Sequence, residues 1–212
     1  MGKKIISFSL YGTDPKYVVG MKRNIQIAPG VYPGWEVVVN GSKESLGLLE
    51  ATSPGFPYTA ITYDTPTGHE GMFWRFLLIH REDAERVIFR DADSRLNRRE
   101  KAAVDEWIAD DTDMHVMRDH VDHANWPILG GMWGIKTTPA IKAILSNPDA
   151  FKLKVQKLDD MRFLANYVWP VFMGSMTHHS SVETIHPYAK PFPRHTIHLG
   201  FVGEVIENVD GL

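Results

Sequence analysis

The residues with the clearest chemical meaning are Asp91 and Asp93, in the run Val87-Ile88-Phe89-Arg90-Asp91-Ala92-Asp93-Ser94-Arg95. An apolar strand that ends in Asp-x-Asp carries two carboxylates at i and i+2. In extended backbone these point the same way and approach one cation. In parallel α/β sheets ligands gather at the carboxyl ends of the strands. Two hard oxygen donors favour Mg²⁺ or Mn²⁺ over zinc, and such ions are completed by phosphate oxygens and water, so the implied ligand carries a diphosphate. Asp is also a common turn and cap residue. What sets this segment apart is the density of charge packed directly after a buried strand.

The strand that presents this pair belongs to a regular series. Residues 4–10 are a buried strand, and Asp14-Pro15 supplies an N-cap and first helical position for a segment with Tyr17, Val18, Met21 and Ile25 on one side. Pro33-Gly34 turns into a strand at 35–39, a short helix follows at 42–50, and a strand at 59–64. An apolar helix is expected at 72–79, the strand at 86–89, and a helix at 100–109 with Ala103, Val104 and Trp107 at helical spacing. This alternation predicts an α/β fold with a mixed, mostly parallel sheet flanked by helices, in a single domain over 1–212. The second half is less regular: strands near 115–117 and 132–135, helices near 139–145 and 159–167, and a Pro- and His-rich tail over 178–198.

Composition narrows the chemistry further. With no cysteine among 212 residues, disulfides, thiolate metal sites and a cysteine nucleophile are excluded. A net charge of -3, from 23 basic and 26 acidic residues, removes the general argument for a nucleic-acid binder. The uncharged stretch 163–182 contains Asn166, Pro170, Gly174, His178 and His179, so it is expected inside the protein and not across a membrane. The opening residues show no secretory signal, and a cytoplasmic location is expected, the host cytoplasm if the gene is viral.

The stretch 89–136, FRDADSR through GGMWGIK, together with SLYGTDPKYVVGMKRN near the start, FWRFL at 73–77 and the late PFP and GFVGE, resembles a group of small viral and bacterial glycosyltransferases that carry an Asp-x-Asp motif on the GT-A fold. The resemblance implies transfer of a sugar from a nucleotide-sugar donor, most simply UDP-linked, to a hydroxyl acceptor on a glycan, a protein or a modified DNA base, with Mn²⁺ or Mg²⁺ as cofactor. It assigns Asp91 and Asp93, with Ala92 between them, to the metal and donor diphosphate. Leu10, Tyr11 and Gly12 fall where such enzymes hold the nucleotide base, with Tyr17 able to stack on it and Arg75 able to neutralise phosphate.

Gly130 and Gly131 fall where similar enzymes run a glycine-containing strand beside the donor sugar, and glycine permits close approach of backbone to ligand. Trp133 beside them offers a face for the sugar ring. Asp160, with Asp159 as second choice, corresponds to the acidic residue on the acceptor side, a general base if the reaction inverts. His179 is the expected third metal ligand, with His178 and His186 as alternatives; the better-known His…Lys-Pro-Trp pattern is replaced here by His186-x-x-x-Lys190-Pro191-Phe192.

Three other readings compete. His120 and His123 with Asp119 and Asp122 could supply a zinc site, though without metalloprotease spacing. A haloacid-dehalogenase-type phosphohydrolase would use a strand followed by Asp-x-Asp, with Asp159-Asp160 holding Mg²⁺, but those enzymes place the motif after their first strand. A non-catalytic nucleotide-sugar-binding module needs no base at all. For a DNA acceptor the supporting feature is a basic stripe of Arg90, Arg95, Arg98, Arg99 and Lys101.

Overall fold

The computed structural model describes residues 2–66, 69–146, 156–182, 188–193 and 200–207. Strand β1 (Lys3–Leu10) leads into helix α1 (Pro15–Val31), then β2 (Glu36–Ser42), α2 (Lys43–Ala51) and β3 (Thr59–Tyr63). A 3-10 helix (Glu70–His80) precedes β4 (Ala84–Arg90), α3 (Arg98–Asp110) and β5 (Met114–Arg118). A short 3-10 turn (Val121–Asn125), β6 (Trp133–Lys136) and α4 (Pro139–Leu145) follow. Finally α5 (Asp159–Phe163), a π-helical turn (Leu164–Val168) and α6 (Trp169–Phe172) run into β7 (Met176–Ser180).

The strands form one sheet in the order β3-β2-β1-β4-β6-β5-β7. All neighbours are parallel except β6, which is antiparallel to both β4 and β5. The expected mostly parallel α/β sheet is therefore present. Its order reverses at β1: the chain first builds outward through β2 and β3, then returns to place β4 on the other side. A crevice at the carboxyl ends of β1 and β4 is the natural consequence, because their following segments leave in opposite directions.

Alternation along the strands sends side chains to two apolar layers. Ile5, Val38, Val87 and Phe89 pack with the 3-10 helix, α4 and the α5–α6 region, whereas Ile6, Phe8, Leu10, Val37, Val39 and Ile88 pack with α1, α2 and α3. β1 breaks its own pattern on the first face with Ser7 and Ser9, and both are used. Ser7 Oγ donates to the Arg75 carbonyl at 2.7 Å, and Ser9 Oγ accepts from the Arg75 N–H at 3.0 Å. Two polar residues in an apolar strand thus fasten the 3-10 helix at Arg75.

Two elements depart from expectation. The helix expected at 72–79 is 3-10 in geometry, clamped by those hydroxyls along β1. The tail expected to begin at His178 instead contributes β7, whose Thr177, His178 and His179 are buried and hydrogen-bonded to side chains of α3 and β5. Polar strands of this kind lack the apolar alternation by which strands are recognised. No helix among the described residues is long and apolar enough to cross a membrane.

Candidate active site

Asp91 and Asp93 occupy the carboxyl end of β4, where α1 fixes the loop that holds them. Asn24 of α1, fully buried, donates through Nδ2 to the Ser94 carbonyl at 2.9 Å and the Ala92 carbonyl at 3.4 Å, and accepts from the Leu96 N–H at 3.0 Å. Gly20, one turn earlier, lies so close to the Ala92 carbonyl that a Cβ there would overlap it. The backbone at Ala92 and Asp93 is a turn, not the extended continuation of β4 expected from the i, i+2 spacing. The two carboxylates accordingly take different partners.

Asp91 is paired with Arg75 Nη1, and Arg75 Nη2 reaches Asp160 Oδ2 at 3.0 Å. Arg75 is buried and also donates to the Arg90 carbonyl at 3.2 Å; its Nε has no hydrogen-bond partner among the described residues. One guanidinium thus bridges residues 91 and 160, which are far apart in the chain. Asp93 faces Lys16 Nζ at 3.5 Å. The side chain of Asp91 is 47% exposed, against 12% for Asp93 and 7% for Asp160, so the cluster has one open and two enclosed carboxylates. Burial raises the pKa of Asp93, reinforced by Asp91 and opposed by Lys16. Burial likewise raises Asp160, opposed by Arg75.

Gly130 and Gly131 complete the wall. A Cβ on Gly131 would overlap the Asp91 carboxylate, and one on Gly130 would overlap the Asp160 carboxylate and the Arg75 guanidinium. Bare backbone at both positions is what lets the three charged groups converge.

On the other side of the crevice Tyr11 is half-buried, edge-on to Trp74 at 6.0 Å, and Trp74 stacks on Tyr63 at 4.9 Å. Gly71 makes room for the Tyr11 ring. Burial pushes the Tyr11 hydroxyl up to about 12, so it stays a neutral donor. Gly12 has φ +78, a conformation glycine adopts without strain, and its carbonyl accepts from Ser45 Oγ at 2.8 Å. Leu10 is in the core, so only its backbone borders the crevice, and Ala92 is also buried. Tyr17 is half-buried with Lys16 Nζ 4.8 Å above its ring.

Several expected participants are elsewhere. Trp133 is fully buried, packed on Phe89 at 4.4 Å and Phe76 at 5.5 Å, because position 133 on β6 points into the core. It presents no face to a sugar. His179 is fully buried on the α3 side of β7, hydrogen-bonded to His115 Nε2 and Glu106 Oε2, each at 3.0 Å. Three strand spacings separate β7 from β4, and His179 is not grouped with Asp91 and Asp93. His178 is occupied by Arg118, and His186 lies outside the described residues. Asp159 accepts from the Gln156 N–H at 2.7 Å and pairs with Arg162, which makes it a helix-start residue. The zinc reading fails on similar grounds: Asp119 is held by Arg99 and the Val202 N–H.

Nor is the basic run at 90–101 a stripe. Arg90 is buried against Glu100, Arg99 pairs with Asp119, and Lys101 with Asp105.

Sequence reasoning missed Lys16, Asn24 and the Tyr63–Trp74 stack. Lys16 had a signal, since it falls in the first turn after Asp14-Pro15 at a strand end. Asn24 had one too, as a polar residue on the apolar side of α1. A shallow depression of about 430 Å³ lined by Glu82, Arg86, Asp111 and Lys136 lies at the opposite, amino end of β4, where ion pairs fill the polar valences.

The chemistry of the donors fits a divalent cation in part. Asp91 and Asp93 are hard oxygen ligands and Asp93 is a buried carboxylate in need of positive charge. Among the described residues no group of three or more potential ligand residues is assembled, so water and phosphate would have to complete the shell.

The fold is that of GT-A-like proteins. Residues 1–349 of Staphylococcus aureus TarS align with a TM-score of 0.52 at 17% identity, over 79% of this chain and 56% of that one. TarS has also been crystallised with UDP and with UDP-GlcNAc. The 4-diphosphocytidyl-2C-methyl-D-erythritol synthase of Anaerococcus prevotii aligns at 0.51 and 10% identity, over 77% of this chain and 81% of that one. A Bacillus anthracis protein assigned as a glucose-1-phosphate thymidylyltransferase, bound to sucrose, aligns at 0.53 and 12%, over 85% and 87%. The chain spans little more than half of TarS 1–349. No family model and no curated protein sequence matches. Identities this low establish a common fold.

Proposed function

We propose that the protein is a transferase that binds a nucleotide-sugar, UDP-linked, in the β1/β4 crevice and passes the sugar to a hydroxyl acceptor. The observation that carries the reading is the convergence of Asp91, Asp93, Arg75, Lys16 and Asp160 against the bare backbone of Gly130 and Gly131, at the switch point of the sheet. Two cations and a carboxylate pair beside a cradle without side chains suit a diphosphate with a sugar lying against the glycines. UDP-GlcNAc bound to a protein of the same fold supports the choice of donor.

In this reading Tyr11, braced by Trp74, borders the base. Asp91 and Asp93 would hold Mg²⁺ or Mn²⁺, which would supply positive charge against the leaving diphosphate. Arg75 keeps Asp160 turned into the crevice. There the carboxylate, its pKa raised by burial, is suited to take the proton from the acceptor hydroxyl as the sugar carbon bonds to the acceptor oxygen and the bond to UDP breaks.

Nucleotidyl transfer is the second reading, because two proteins assigned to nucleotide-linked synthesis share the fold over more than four-fifths of their own length. The two reactions release different products. Incubation with Mn²⁺ and UDP-GlcNAc is expected to yield UDP, and Asp93→Asn to reduce it at least 100-fold. Pyrophosphate release from a nucleoside triphosphate with a sugar phosphate would replace this reading with nucleotidyl transfer, and phosphate release from simple esters would favour the phosphohydrolase. Saturable binding of UDP-GlcNAc without turnover would leave a binding module.

A further inference from the structure

Each carboxylate of the Asp-x-Asp pair already has a cation of the chain beside it, and the two cations are held very differently. Arg75 is locked: it is buried, pinned through its backbone to Ser7 and Ser9, and its guanidinium is shared among Asp91, Asp160 and the Arg90 carbonyl. Lys16 is loose. Its Nζ is 3.5 Å from Asp93 Oδ2, longer than a well-formed charge-assisted hydrogen bond, and 4.0 Å from Glu207 Oε1, whose side chain is 81% exposed. Its backbone is nevertheless fixed, since Lys16 N–H donates to the capping Asp14 Oδ1 at 2.9 Å in the first turn of a 17-residue helix. A flexible four-carbon stem on a rigid base can swing its ammonium over several ångströms without disturbing the fold.

We propose that Lys16 is an exchangeable counter-ion: it neutralises Asp93 in the free protein, yields that carboxylate to the divalent cation, and moves onto a diphosphate oxygen of the donor. The inference rests on the nucleotide-sugar reading above. Its physical basis is that an ammonium and a divalent cation on one carboxylate repel each other, so the metal must displace Lys16. A displaced Lys16 needs another anion. Asp91 is occupied by Arg75, and Glu207 is exposed and screened by solvent, whereas a diphosphate in the crevice offers a double negative charge within reach of the same stem. The exchange makes metal and nucleotide cooperative. Either one alone leaves Lys16 or the carboxylates badly matched, and both together satisfy every charge.

The test uses the full chain with two probes, Mn²⁺ measured by its free-ion EPR signal and UDP measured by calorimetry. In the wild type, UDP is expected to tighten Mn²⁺ binding about tenfold or more, a coupling of about 1.4 kcal/mol. Lys16→Met is expected to move the two affinities in opposite directions: Mn²⁺ alone binds severalfold tighter, while UDP in the presence of Mn²⁺ binds about tenfold weaker and the coupling shrinks. Lys16→Arg is expected to keep the coupling. If Lys16→Met lowers the melting temperature, Lys16→Gln repeats the titrations.

An unchanged or weakened affinity for Mn²⁺ alone in the charge-removed variants overturns the exchange, as does independent binding of Mn²⁺ and UDP to the wild type. Failure of the donor reading itself is visible earlier and separately, as absence of any UDP binding to the wild type with Mn²⁺ present; the exchange then falls with it.

Discussion

Two clusters of ionisable side chains lie at the same height of the sheet and are built on opposite principles. Phe89 of β4, Trp133 of β6, Val116 of β5 and His178 of β7 stand in register across the strands, so the carboxylates after β4 and the histidine at 179 are level with one another. At one end Asp91, Asp93, Asp160, Arg75 and Lys16 form a chain of ion pairs beside two glycines. At the other, His115 and His179 are fully buried, with His115 stacked on Trp107 at 5.5 Å. Burial lowers the pKa of both rings, so they are neutral.

One tautomer assignment fits the contacts between the rings: His115 Nε2–H donates to His179 Nδ1, and His179 Nε2–H donates to the Glu106 carboxylate, while His115 Nδ1 finds no partner among the described residues. Residue types able to bind a metal are present in both places. Only one has the bare glycine backbone and the partly exposed carboxylate that leave room for a charged ligand, whereas the other is closed and directs most of its polar groups to one another.

The largest expected effect comes from closing the opening at the charged cluster. In Gly131→Ala the new methyl occupies the space of the Asp91 carboxylate. Asp91 is half-exposed and can swing away, so the fold should survive with little loss of stability. The geometry of the pair should not, and affinity for UDP with Mn²⁺ is expected to fall about 100-fold, in line with the sensitivity of charged sites to displacements near 1 Å. Calorimetry with a parallel melting curve checks both halves. Undiminished binding would mean that Asp91 is not part of the donor site.

The converse experiment strikes the histidine cluster. His179→Ala removes the acceptor of the His115 Nε2–H and opens a cavity in a closed layer, at an expected cost of about 2–3 kcal/mol in chemical denaturation. Binding of UDP with Mn²⁺ should stay within twofold of the wild type. A folded variant that loses the metal would return His179 to the site and dissolve the distinction between the clusters.

The same comparison explains what could be read from the chain alone. The β4 strand and its Asp-x-Asp ending, the Asp14-Pro15 helix start and the α3 helix are local patterns, and residues 86–89 and 100–109 fall inside the observed β4 and α3. Arg75 and Asp160 were also picked out, but separately, since no local pattern says that one guanidinium spans residues 91 and 160. The errors have a common origin in facing. Trp133 sits two residues from Gly131, but Gly131 belongs to the turn before β6 and Trp133 opens the strand, where its ring packs on Phe76 and Phe89 in the core. His179 has the chemistry of a ligand, but three strand spacings and the sheet itself intervene. Nothing in MTHHS announces a buried strand, because the partners that satisfy its polar groups come from α3 and β5.

The smallest effect, and the most direct contrast, is in the response to pH. A neutral buried histidine has its folded pKa below its unfolded value near 6.5, so the folded state takes up fewer protons. The stability it contributes is complete above pH 6.5 and is lost as pH falls toward the depressed value. His115 faces His179, His178 and Arg90, all of which oppose its protonation further, and His123, lowered to about 4 by burial, adds the same sign.

Asp160 behaves oppositely. Its raised pKa means that the folded state binds the proton more tightly, so its contribution is complete below its unfolded value near 3.8 and is lost as pH rises through the folded value. Between pH 7 and 5, above the range in which Glu36 and the other ion-paired carboxylates titrate, the histidine contribution should dominate and stability should fall. His115→Gln keeps a donor toward His179 and has nothing to protonate, so it should flatten the urea-midpoint profile in that window by about 1 kcal/mol. Asp160→Asn should steepen the loss of stability as pH falls, because the compensating carboxyl is gone. A His115→Gln profile as steep as the wild type would mean that the buried pair is not held neutral, and the contrast between a closed and a charged cluster would fail where it is easiest to measure.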